Sequence, residues 1–184
     1  MWDTSVEMIE LTMALDCLDD LPAHPLPEQY GCRTYRPGDE LHWARIETSA
    51  GEFSKVEAGL RRFEGEFPDR EPLSERMLFL TDNGVPFATA TAWFAPDGAG
   101  LLHYVAIDAA HQGQGLSRPL TALALKRMHE LGHRRARLGT QTYSWVAIRV
   151  YREFGFHPQV CGDTERRGWR IVAEKTGIDF GLKD

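Results

Sequence analysis

Six consecutive residues, Gln112-Gly113-Gln114-Gly115-Leu116-Ser117, carry the first chemistry legible in the sequence. The glycines at 113 and 115 allow backbone angles and close approaches that a side chain would block. From Leu116 onward Leu120, Leu123, Met128 and Leu131 repeat at helical spacing, and Pro119 falls near the first turn, where a missing N–H costs least. A glycine turn that feeds a helix start presents free N–H groups at the positive end of the helix dipole, which is an anion site suited to phosphate. No Gly-Lys-Ser/Thr follows and the third glycine of a dinucleotide fingerprint is missing, so neither of those phosphate loops is meant. Further on, His129-Glu130-Leu131-Gly132-His133 spells the zinc motif HExxH. Gly132 stands where the helix should stop and no third ligand is evident, so both histidines read as cationic partners of a helix C-terminus and no metal site is expected.

These groups need a scaffold. Leu101 to Ile107 reads as a buried strand running into the turn, and Ala136 to Thr142 as the strand after the helix. Ser144 to Phe156 reads as a second helix: Ser144 is a good N-cap, Ala147, Val150, Tyr151 and Phe154 share a face, and Gly155 is placed to end it. Upstream, Arg33 to Tyr35 is a first strand. Pro37-Gly38-Asp39 opens a helix carrying Leu41, Ala44 and Ile46 inward, and Ser54 to Phe67 makes another with Val56, Leu60 and Phe63 on one side. Met77 to Phe94 is a hairpin through Asp82-Asn83-Gly84. At the end, Gln159 to Cys161 and Trp169 to Ala173 read as a closing strand pair. Residues 1–29, with a strand at Val6 to Met13 and a proline-rich linker from Leu21 to Gln29, read as an N-terminal extension packing on a domain at 30–184.

The two glycine-bearing segments together resemble the GNAT family of N-acetyltransferases. Gln112, Gly115 and Ser117 occupy the defined places of its motif Gln/Arg-x-x-Gly-x-Gly/Ala, with serine for the small apolar residue. Ala147, Tyr151, Gly155 and Phe156 match Asn-x-x-Ala-x-x-x-Tyr-x-x-x-Gly-Phe, with Ser144 for asparagine. The resemblance runs from Arg33 to Val172. It implies an α/β (α+β) fold, a single mixed, mostly antiparallel central sheet flanked by helices.

The resemblance further implies an acetyl-CoA-dependent N-acetyltransferase that moves an acetyl group to a primary amine by direct attack. The CoA pyrophosphate would lie on Gln112, Gly113, Gln114, Gly115, Leu116 and Ser117, its pantetheine along Val105 and Ile107, with Ser144 close by. Tyr151 would be the general acid for the leaving thiolate; core packing with a satisfied hydroxyl is its alternative reading. His103, with a reference pKa of about 6.5, or a water chain would take the amine's proton; a histidine merely satisfied by backbone is the alternative reading of His103. Trp43, Glu47, Phe53, Trp93 and Gln141 would line the acceptor side, joined by Glu52; the carboxylates suit a cationic amine and the aromatics a cation–π contact. An acyl-CoA-binding module without turnover stays open, because Ser117 and Ser144 depart from the motifs.

Composition sets outer bounds. The chain has 184 residues, 42% of them hydrophobic, and a net charge of -6, which fits one globular domain and argues against nucleic acid as a partner despite Arg134, Arg135 and Arg137. No apolar run approaches the roughly 20 residues of a membrane helix. Three cysteines without a CxxC pair suit a reducing cytoplasm. The expected partners are a small-molecule or peptide amine and, as a candidate, a second copy in a homodimer.

Overall fold

A computed structural model gives the coordinates, and residues 3–182 are described. In chain order the elements are β1 (Glu10–Leu15), β2 (Tyr30–Thr34), α1 (Glu40–Ala50), α2 (Val56–Glu66), α3 (Leu73–Arg76), β3 (Met77–Asp82), β4 (Val85–Phe94), β5 (Gly100–Ile107), α4 (Ser117–Glu130), β6 (Ala136–Gln141), α5 (Trp145–Glu153), β7 (His157–Gln159) and α6 (Asp163–Thr176). The strands form one seven-stranded sheet in the order β2-β3-β4-β5-β6-β1-β7. Among the described residues only β5 and β6 run parallel; every other neighbouring pair is antiparallel.

That parallel pair shapes the molecule. β5 and β6 are in register only at Gly100↔Ala136 and Leu101↔Arg137, so the strands part beyond Leu101 and one edge of residues 102–107 is left without a strand partner. Two apolar cores lie on opposite faces. One joins Leu11, Met13, Leu80, Ala90, Leu102, Leu120, Leu125, Ile148, Phe154 and Trp169, from the sheet, α4, α5 and α6. The other joins Trp43, Ile46, Phe63, Phe67, Met77, Phe79 and Ala106 beneath α1 and α2. Alternate β4 residues divide between them: Ala88, Ala90 and Ala92 belong to the first core.

The N-terminal segment does more than pack on the domain's outside. β1 is an interior strand, antiparallel to β6 on one side and β7 on the other. Its pattern explains the placement: Leu11, Met13 and Leu15 are buried in the first core while Glu10 and Thr12 are exposed, the alternation of a strand with one covered face. The chain end also departs from the expected strand pair. Trp169 to Ala173 lies within α6, and β7 pairs with β1 instead. Trp169 and Val172, three residues apart, are both fully buried. Asp163 and Glu165 stand in the first turn, at the dipole's positive end, and a Cβ on Gly168 would come within 2.9 Å of Leu11, so the helix lies close on β1. Leu41, expected inward on α1, is 39% exposed; Trp43 takes the core position.

Candidate active site

The glycine turn follows β5 through a short 3₁₀ turn, Ala109–His111, and opens α4. Gly113 and Gly115 both adopt φ of 76°, the left-handed region open to glycine. A Cβ on either would meet no atom within 4 Å, so the glycines serve backbone shape rather than packing. Backbone N–H groups from Gln112 to Leu116 donate to no main-chain carbonyl among the described residues. The turn is tied at its edges: Gln112 Nε2 donates to the Ile107 carbonyl at 2.9 Å and Tyr30 Oη to Gln114 Oε1 at 2.9 Å. Oriented free donors, an open cradle and a 14-residue helix behind them fit the diphosphate of a nucleotide-like cosubstrate.

Beside this turn β5 contains a bulge. Thr89 pairs with Ala106 and Thr91 with His103, so Tyr104 and Val105 oppose Ala90 alone, and Tyr104 takes φ of 48°. A bulge re-aims side chains. Here it turns His103 and Tyr104, adjacent in sequence, to the same face, their rings 4.3 Å apart. Val105 and Ile107 pack toward the first core, with their strand's outer edge open.

Two residues of α2 hold that pair. His103 Nε2 lies 2.9 Å from Glu66 Oε1, and the other Glu66 oxygen is 2.9 Å from Arg62 Nη2. Arg62 Nε in turn donates to Tyr104 Oη at 2.6 Å. Burial pulls the His103 imidazole below its usual pKa, against the opposing pull of Glu66, so the ring is neutral and able to accept a proton near neutrality. Glu66, Arg62 and the bulge were not anticipated. Nothing in the local sequence marks a 37-residue contact or a bulged strand.

Tyr151 comes from α5, in the other layer, and its ring lies 6.0 Å from that of Phe156. Burial, and then the charge of Glu47, push its phenol above its ordinary pKa. Glu47 belongs to α1, whose Trp43, Ala44 and Ile46 lie in the second core. Glu47 is 3% exposed and its Oε1 has no hydrogen-bond partner among the described residues. Burial and the neighbouring Glu52 raise its carboxyl well above the usual range.

The remaining expected site residues are distributed as follows. Trp43 is wholly buried, a floor rather than a wall, with its ring 4.8 Å from Tyr104 and 5.8 Å from Phe53. Trp93 is half-buried against Phe67 and stacked on Phe94. Gln141 closes β6 on the same side as Arg137, opposite the buried Ala136, Leu138 and Thr140. Ser144 does stand at the N-cap of α5, but its side chain makes no cap bond. His129 and His133 go separate ways, His129 to Asp19 at 3.0 Å and His133 to the Gly98 carbonyl at 3.1 Å. Arg135 and Arg137 are both paired with Asp97. Among the described residues, no helix is long and apolar enough to cross a membrane.

Known proteins resemble this chain in sequence and in fold. A family model described as "Acetyltransferase (GNAT) family" matches residues 39–156. A mycothiol acetyltransferase from Cellulomonas flavigena is 30% identical over 158 residues, covering 78% of this chain and 45% of that protein; the chain thus spans about half the length of the curated relatives it matches. A GCN5-related N-acetyltransferase from Sphaerobacter thermophilus superposes with a TM-score of 0.67 at 23% identity, over 82% of this chain and 48% of that one. A Salmonella typhimurium structure, solved with its cofactor acetyl-CoA, gives a TM-score of 0.54 at 20% identity, over 70% of this chain and 79% of that one. The seven-stranded sheet flanked by helices is the fold of these structures.

Proposed function

The chain belongs to the acetyltransferase (GNAT) family, and we propose that it transfers an acetyl group from acetyl-CoA to a primary amine by direct attack. The observation that carries this is the opening between β5 and β6, with a free N–H cradle at Gln112 to Ser117 and an unpaired edge at Val105 to Ile107; α5 supplies Tyr151. Bound acetyl-CoA would supply the activated thioester. The chain's residues do the rest. The turn holds the diphosphate, while the β5 edge presents backbone N–H groups to a carbonyl, a preorganised dipole where negative charge develops.

Proton handling divides between the two layers. An attacking amine must be neutral, and His103, held neutral by burial and oriented by Glu66, accepts its proton. Tyr151, kept protonated by burial, holds a proton at Oη for the leaving sulfur. Trp43, Glu47, Phe53, Trp93 and Gln141 border the acceptor space. The acceptor is a small-molecule or peptide amine.

A thiol-release assay with acetyl-CoA and a panel of primary amines tests this reading. CoA release that depends on at least one amine is expected. Tight CoA binding with no amine-dependent release would make the chain an acyl-CoA-binding module instead.

A further inference from the structure

Glu47 is the least explained residue of α1. An ionised carboxylate taken out of water costs several kcal/mol unless it is paired. Glu47 is 3% exposed, and its Oε1 reaches no donor among the described residues. Two further polar atoms of α1 share the condition: Trp43 Nε1, one turn earlier, and Thr48 Oγ1, one residue later, are buried without a hydrogen-bond partner. The groups facing Glu47 do not compensate it. From the α1–α2 loop comes Glu52, a second carboxylate, whose N–H donates to the Glu47 carbonyl at 2.9 Å and so fixes the two side by side. From α5 comes the Tyr151 phenol. On β5, under α1 and α2, Tyr104 and His103 are already engaged by Arg62 and Glu66. Arg62 of α2 acts on Glu52, but its ion pair is with Glu66. The β4 residues on this face, Thr89 and Thr91, bring no charge and have buried hydroxyls without partners among the described residues.

We propose that Glu47, with Glu52 beside it, binds a cationic group of the acceptor other than the amine that is acetylated. The cleft then selects acceptors with two cationic nitrogens. This rests on the reading of the cleft as an acceptor site. The attacking nitrogen is a poor guest for Glu47, because a carboxylate paired to an ammonium stabilises the charged form and opposes its deprotonation. That nitrogen's proton has its own acceptor in His103. A second ammonium, by contrast, gains a charge-assisted hydrogen bond and needs to lose nothing. The raised carboxyl of Glu47 fits a group that ionises when such a cation arrives. The rings of Phe53 and Tyr104, both against Trp43, add apolar and cation–π surface for the linking chain.

The test compares α,ω-diamines from three to six carbons with monoamines in which one ammonium is replaced by methyl. For the wild type we expect kcat/KM for the best diamine to exceed that of its monoamine isostere by about 10- to 100-fold, the range of one charge-assisted hydrogen bond. Glu47→Gln keeps the side chain's size, and should bring that ratio to about one, whatever happens to the common rate; Glu52→Gln should lower it partway. Calorimetric titration of the diamines into the protein with CoA gives the same comparison without turnover. Diamine binding that needs Glu47 but no acetyl transfer to any amine would uphold the cation site and refute the transferase reading. Equal handling of diamine and monoamine by the wild type, or a preference that survives Glu47→Gln, overturns the proposal.

Discussion

Replacing Tyr151 by phenylalanine removes one oxygen from the proposed acid and little else. The ring contact with Phe156, 6.0 Å between centroids, is retained, and no hydrogen bond contributes to the shift of the phenol, which is raised by burial and by Glu47. No partner is therefore left unsatisfied, and stability should change by less than about 1 kcal/mol. Catalysis should suffer far more. A positioned general acid contributes about 10²- to 10⁴-fold, so kcat should fall by at least about 100-fold, or roughly 2.7 kcal/mol of barrier. The sign of the pH dependence follows from the direction of the shift. A phenol raised above its ordinary value, about 10, stays protonated below that pH, so Tyr151 adds no basic limb to the wild-type kcat profile up to about pH 10. Steady-state thiol release from pH 6 to 10, with thermal melts of both proteins, is the assay. Full kcat in Tyr151→Phe, or an activity loss matched by a collapsed melting temperature, would refute Tyr151 as the acid.

Four further substitutions follow from the same geometry. His103→Gln should remove the acidic limb of the kcat/KM profile; because burial lowers His103, that limb lies below the ordinary imidazole value, and Glu66→Gln, which deletes a pull in the opposite direction, should move it to still lower pH. Gly115→Ala places a Cβ in open space but at φ of 76°, costing about 1–2 kcal/mol of backbone strain, so the calorimetric Kd for acetyl-CoA should rise about tenfold while the fold persists. Asp39→Ala strands Arg33, 2.6 Å away, and the Arg36 N–H, and should cost about 3 kcal/mol in denaturant melts. Burial opposes ionisation of Asp39, yet the bonds from Arg33 and Arg36 outweigh it and lower its pKa. The stabilisation is thus present above the unfolded carboxyl's pKa, about 3.9, and lost as pH falls through the folded value.

Local signals made most of the scaffold legible. The glycine turn, the Asn83-Gly84 hairpin and the Tyr151 helix are encoded in short stretches, and the structure places each where its spacing indicates. What failed was long-range. Glu10–Leu15 alternates like any strand, but pairing with β6 and β7 depends on residues more than a hundred positions away. Trp169 to Ala173 is apolar enough for a strand, and only the contact of Gly168 with Leu11 and Ile9 reveals the helix face. The site divides the same way. Tyr151 and His103 stood out by type and place as candidates, whereas the Glu66–His103 pair and the bulge at Tyr104 exist only once α2 lies over β5. Glu47 was visible as a charge; its burial without a partner was not.

The central claim, direct acetyl transfer at the β5–β6 opening, is tested most directly by following labelled acetyl from acetyl-CoA by mass spectrometry. With a reactive amine present, the label should appear on the amine in equal amount to the CoA thiol released, and the protein's mass should not change when the amine is omitted. Acetyl label on the protein itself, or bound acetyl-CoA that never labels an amine, would contradict it.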